Sequence, residues 1–198
     1  MRVGNVPPQP NGRLDRETVV STAAEIVDSE GYTALTLARL AERLNRHVSS
    51  LYNHVDSLDA LRHELTVRGF KDLGDALWRA ALGRTGREGL LAIAEAYRAY
   101  ATDHIARFVG PLLADRQLDD DVEYLAALKH VAEPLRAVMA SLGVPERDLA
   151  RAHQLFSSAI LGFVFRSRLS HDPEAPHDER GFRLLVDMLA DGIEAELC

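Results

Sequence analysis

The chain has 198 residues, enough for one domain of moderate size or two small ones with a real apolar core. Hydrophobic residues make up 46% and charged residues 27%, a globular balance that excludes a disordered or fibrous chain. The net charge of −7 offers no bulk electrostatic case for nucleic-acid binding: residues 1–64 carry seven Arg against nine acidic residues, and residues 65–198 sixteen basic against twenty-one acidic. The one cysteine, Cys198, excludes an intrachain disulfide, fits a reducing cytoplasm and reads as a solvated thiol.

The first twelve residues, rich in Pro, Gly and Asn, read as a flexible arm, without the basic start and apolar run of a signal peptide. A first helix is expected over 15–30, with Asp15 as N-cap, Val19, Val20, Ala23, Ile26 and Val27 as its apolar stripe and Gly31 as its stop. Residues 36–55 then repeat one pattern twice. Leu37, Leu40, Ala41 and Leu44 share a helical face, and Val48, Leu51, Tyr52 and Val55 share another, with Val48, Leu51 and Val55 expected in the core. Between them stands Asn45-Arg46-His47, with Asn where the backbone must turn left-handed and His47 a poor cap for the second helix. Helices this short must fold as a helix-turn-helix on a third element, which makes 48–54 the helix that enters DNA. Arg39, Arg43 and Arg46 fall along one side of the first helix of the pair, and Arg13 and Arg16 stand at the end of the arm; all can grip phosphates or simply be solvated.

Everything after this also reads as helix, since no period-two run of β-branched residues occurs. Asp56 and Ser57 can cap a helix over 58–82, and GRTGREG at 83–89 breaks it without forming a phosphate loop. Helices are expected near 87–104 and 105–114, the latter containing Pro111, and then from the acidic cluster 119–121 to about 142. Pro134 should kink that helix. Two last helices, 145–169 and 178–197, are joined by a polar loop. The longest apolar run, 155–165, is ended by Arg166 and Arg168, so no membrane span and a soluble, cytoplasmic protein are expected. The last two helices are apolar on more than one face, which predicts one side buried internally and the other against a second copy. Phe156, Ile160, Phe163, Val164, Leu185, Met188 and Leu189 are the expected interface residues of a four-helix dimer contact; a buried hairpin in a monomer is the alternative.

These residues resemble the tetracycline-repressor (TetR) family of bacterial one-component regulators. The likeness is carried by Glu30-Gly31-Tyr32, Leu35-Thr36-Leu37, Leu40-Ala41, Leu51-Tyr52-Asn53-His54-Val55, Ser57 and Ala60-Leu61, in that order at the N-terminus. Gly162-Phe163-Val164 also resembles a late segment of one TetR subgroup. The turn departs from the family's usual Gly-Val-Ser, and Leu58 stands where a backbone-gripping Lys is usual. The resemblance implies an all-α, Ω-shaped homodimer, with a three-helix DNA-binding domain over 13–57 and a ligand-binding and dimerisation bundle of about six helices over 58–198.

It further implies a regulator, most often a repressor, that binds a palindromic operator in double-stranded DNA. Ser49, Ser50 and Asn53 would face base edges; Thr36, Arg46, Tyr52 and His54 would reach phosphates, with His47 beside them at the turn. A small hydrophobic or amphipathic effector would sit among Trp78, Tyr97, Tyr100, His104, Phe108, Leu112, Leu128, Met139, Phe156 and Phe163, with Arg98, His130, His153 and Gln154 as polar anchors. Neither a metal site nor a cofactor is expected, because the histidines lack ligand spacing. No nucleophile elbow, phosphate loop or dinucleotide fingerprint supports an enzyme. A helical dimeric adaptor, whose degenerate helix-turn-helix no longer binds DNA, is the rival from another class.

Overall fold

The computed structural model describes residues 14–104, 121–169 and 178–198, and these form eight α-helices and one short 3₁₀ turn, with no strand among them. The flexible arm, the helix expected at 105–114, Phe108 and Leu112, and the loop after 169 lie outside the described residues. These residues divide into two compact units, the first ending at Arg62 and the second beginning at His63.

In the first unit, α1 (Arg16–Glu30) starts where Asp15 Oδ1 accepts the Thr18 N–H at 2.8 Å, satisfying a donor that has no partner in the helix's first turn. That hydrogen bond holds the Asp15 carboxyl below its usual range. The helix stops at Gly31, whose φ of 93° only glycine adopts without strain. Its buried stripe (Val19, Val20, Ala23, Ile26, Val27) is the one the periodicity predicts. A 3₁₀ turn (Tyr32–Ala34) leads to α2 (Leu37–Arg43), capped by Thr36 Oγ1, and a turn leads on to α3 (Val48–Leu51). α1 packs on α2 and α2 on α3.

α4 (Leu58–Ala81) begins in the first unit and continues into the second. Ser57, and not Asp56, supplies its cap, the Oγ accepting from the Ala60 N–H at 2.9 Å. The first unit extends past the expected boundary at 57/58 because Leu61 is fully buried, while Arg62 lies over the Tyr32 ring and donates to the Leu35 carbonyl at 3.1 Å.

The second unit continues with α5 (Gly86–Asp103), α6 (Val122–Ser141), α7 (Glu146–Leu169) and α8 (Glu179–Leu197). α5 touches α6, α7 and α8, and α7 touches α6 and α8. Each joint has a local reason. Asp121 Oδ1 caps α6 and Asp178 Oδ1 caps α8. Gly143, at φ 102°, ends the turn after α6. Pro134 lies buried inside α6, whose helical run continues through it from Val122 to Ser141. Leu73, Leu77, Leu90, Ile93, Leu135, Met139, Phe156 and Phe182 fill the core, each 1% exposed or less. At roughly 1.5–3 kcal/mol per buried side chain, this cluster dominates the unit's stability. The Arg87 guanidinium, 2.6 Å from both Asp191 and Glu194, ties α5 to α8 at the surface, where solvent makes it a small term.

Candidate nucleic-acid interface

The turn between α2 and α3 sets the direction of everything after it. Asn45 occupies the left-handed region at φ 52°. Its N–H donates to Glu42 O at 3.0 Å, and the Arg46 N–H donates to Ala41 O at 2.9 Å. This pair is the Schellman closure of a helix, normally built on glycine and here on asparagine. His47 then takes the N-cap position of α3 with no side-chain cap bond, as a residue without a short oxygen acceptor should. α3 is shorter than the expected 48–54. After Leu51 the chain closes into a turn, with His54 N–H on Leu51 O at 2.8 Å. Four residues cannot hold a helix alone. Burial of Leu51 at 0% and Val55 at 4% exposure holds this one.

The side chains left outside by that buried pair make up the candidate surface. Tyr52 is 56% exposed, and His47, Ser49 and Asn53 are also exposed. Thr36 is exposed too; its oxygen accepts the Arg39 N–H at 3.0 Å as the cap of α2, which leaves its O–H free to donate. Ser50 departs from expectation: its hydroxyl donates to His47 O at 2.6 Å, so it braces the turn and is not presented to a base edge. His54 and Arg46 are half-buried, and an Arg46 Nη1 donates to Asn45 O at 3.2 Å. Val48, expected in the core, is 37% exposed. Lying one turn before Tyr52, it shares that residue's outward side, and Leu51 alone turns inward. Val48 is therefore a surface residue the sequence reading missed; its alternation with Ser49 and Tyr52 was the available signal.

The arginines of α2 also depart from expectation. Arg39 binds Glu30 with two N–H groups at 2.8 and 2.9 Å and Glu42 with a third at 2.7 Å, and Arg43 lies 3.5 Å from the same Glu30. Arg39's hydrogen bond holds the Glu30 carboxyl below its usual range and that of Glu30 raises the guanidinium. Two of the three guanidiniums that could grip phosphates or simply be solvated are thus engaged in joining α1 to α2. The exposed set that remains (methyls of Val48, hydroxyls of Thr36 and Ser49, the Tyr52 phenol, the Asn53 carboxamide) can contact thymine methyls, phosphates and base edges.

In the second unit, Tyr97, Met139 and Phe156 are buried, and Tyr100, His104, Leu128 and Phe163 are half-buried. Burial pushes the Tyr97 phenol up to about 12. Tyr100 stacks on His104 at 4.6 Å and donates its hydroxyl to Gly69 O at 2.9 Å. His130 is bound to Asp75 at 2.7 Å, His153 is half-buried and Gln154 is exposed. Trp78, expected among the effector-facing residues, is 42% exposed: it lies on the side of α4 that carries Lys71, Asp75 and Leu82, while Leu73 and Leu77 take the inward positions. The interface expectation needs a similar correction. Phe156, Ile160 and Val164 are at most 3% exposed because, at four-residue spacing, they form the inward stripe of α7. Phe163 packs on Phe182 at 5.2 Å, and Leu185 and Leu189 are half-buried. The large apolar side chains of these two helices that do face outward are Leu155 at 55%, Phe165 at 45%, Leu184 at 59% and Met188 at 64%. Among the described residues no cluster of His, Cys, Asp or Glu could hold a metal ion, and no helix is long and apolar enough to cross a membrane.

No family model matches the chain. The protein Rv0681 of Mycobacterium tuberculosis, an uncharacterized HTH-type transcriptional regulator, is 38% identical over 156 residues, 77% of this chain and 69% of its own length. Among solved structures, PfmR of Thermus thermophilus, a TetR family transcriptional regulator, matches with a TM-score of 0.67 at 22% identity, over 90% of this chain and 97% of the other. FadR of Bacillus subtilis, a transcriptional regulator in complex with stearoyl-CoA, matches with a TM-score of 0.70 at 14% identity, over 89% and 98%. At these identities the structural likeness speaks for the fold. The identity to Rv0681, with the capped α2, the left-handed turn and the outward face of α3, makes this chain a helix-turn-helix protein. The chain belongs to the HTH-type transcriptional regulators.

Proposed function

We propose that the protein is a repressor that binds a palindromic operator as a homodimer and leaves it when a small hydrophobic or amphipathic effector occupies the second unit. One observation carries the DNA half of this reading: Tyr52 and Asn53, in the turn after α3, stand exposed with Ser49 while Leu51 and Val55 hold the segment by their burial. A folded helix-turn-helix has no internal use for that phenol and carboxamide. In a major groove Asn53 would read adenine, Val48 a thymine methyl, and Tyr52 and Thr36 would hold phosphates. Two copies would place their recognition helices about 34–36 Å apart, one turn of DNA.

The outward Leu155, Leu184 and Met188 support the homodimer, since exposed apolar side chains on two helices in contact are the kind of surface a twofold contact covers. The stearoyl-CoA complex of FadR, a protein of this fold, supports an amphipathic effector. An effector acts only through different affinities for the DNA-competent and the released states, and it must differ between them by the free energy it shifts.

The intergenic region beside the gene supplies the test. The full chain is expected to bind it with a steep inverse dependence on salt, and both Tyr52→Ala and Asn53→Ala should weaken binding at least tenfold without changing the thermal midpoint. Salt-independent or absent binding, or variants that bind like the parent, would favour a helical adaptor.

A further inference from the structure

Arg98, on α5, is a largely buried cation of the second unit. Its side chain is only 15% exposed. The guanidinium carbon lies 4.2 Å over the ring of Phe182, which in turn meets Phe163 edge-on at 5.2 Å between centroids. Its one carboxylate partner among the described residues is Glu179, whose Oε1 accepts from Nη2 at 2.5 Å. Glu179 itself is 73% exposed, in the first turn of α8. The other terminal nitrogen, Nη1, is buried and has no hydrogen-bond partner among the described residues.

This arrangement is poor as a structural ion pair. Removing a guanidinium from water costs heavily unless its donors are used, and here a buried donor is unused. A carboxylate that solvent already solvates gains little by staying. The same arrangement is good as a receptor. A guanidinium backed by an aromatic ring presents a planar fork for a two-oxygen anion, and the half-buried Phe163 beside that ring is the apolar neighbour for the chain that the anion carries.

We propose that Arg98 anchors the oxyanion head of the effector, that this head is a carboxylate displacing Glu179, and that the attached apolar chain leads away past the half-buried Phe163. The assignment rests on the reading that the second unit holds a small-molecule effector, and narrows that molecule to an anionic amphiphile. Glu179 serves as the internal stand-in that keeps the guanidinium paired when no ligand is bound.

The probes are dodecanoate, dodecyl phosphate and, as uncharged control, dodecanol, each titrated by calorimetry into the full-length dimer. Dodecanoate is expected to bind at least tenfold tighter than dodecanol. Arg98→Met, which keeps the apolar stem, should bring the two to parity. Glu179→Gln, at an exposed position that cannot unsettle the core, should tighten dodecanoate several-fold by removing its competitor, and decides the matter if Arg98→Met does not fold. Equal binding of dodecanoate and dodecanol by the parent would overturn the anchor and leave an apolar effector site standing. Unchanged or weaker dodecanoate binding in Glu179→Gln would overturn it as well. A preference for dodecyl phosphate over dodecanoate would refute the carboxylate assignment. Failure of all three probes to bind would remove the amphipathic-effector reading together with the anchor.

Discussion

At Asn45 the backbone enters the left-handed region with a side chain attached, and the direction of α3 depends on its staying there. Alanine suffers the steric penalty of that region without asparagine's local hydrogen bonding, and glycine avoids it altogether. Asn45→Ala is therefore expected to cost about 1 kcal/mol in urea unfolding and Asn45→Gly nothing. His153 gives a second prediction at this scale. Burial, with the charge of Arg136 added, lowers its pKa below the ordinary 6.5. The unfolded chain thus takes up the proton first, so the contribution is complete above about pH 6.5 and is lost as pH falls from there toward the lowered native value. The thermal midpoint should drop between pH 7.5 and pH 5.5, and His153→Gln should narrow that drop; a variant with the parent's full pH dependence would assign it elsewhere.

Elements were easier to read than their ends and faces. Caps and stops are local chemistry, which is why Asp15, Thr36, Ser57 and the glycines at 31 and 143 stand where sequence rules put a helix start or stop. Faces are not local. Val48 and Trp78 turned outward and Phe156, Ile160 and Val164 inward, because a helix apolar on two sides carries no sign of which side meets its own bundle. Close approach between elements is equally hidden. A Cβ on Gly74 of α4 would overlap the His130 ring of α6, the ring that also binds Asp75 at 2.7 Å. Gly74→Ala should destabilise the protein by about 1–3 kcal/mol, as overpacking does. Adding His130→Ala should recover most of that loss; additive effects in the double-mutant cycle would show that the two residues do not meet in solution.

For the molecule as a whole, the outward Leu155, Leu184 and Met188 predict an oligomer that charge disrupts. Met188→Glu combined with Leu155→Glu should convert a dimer to a monomer in sedimentation velocity and weaken operator binding, while the helical signal in circular dichroism is kept. A monomeric parent would remove the twofold docking scheme. The order of helices, the left-handed turn and the helix-turn-helix could be read from residues alone, because each depends on neighbours within one or two turns: an apolar period, a capping oxygen, an asparagine after the last helical residue. The tertiary structure decided which arginines are engaged with Glu30, which apolar side chains stand exposed, and that Arg98 lies buried with a donor that has no partner among the described residues. Those depend on pairs far apart in the chain, such as Glu30 with Arg39 or Arg98 with Phe182, and no periodicity within one helix records its distant neighbours.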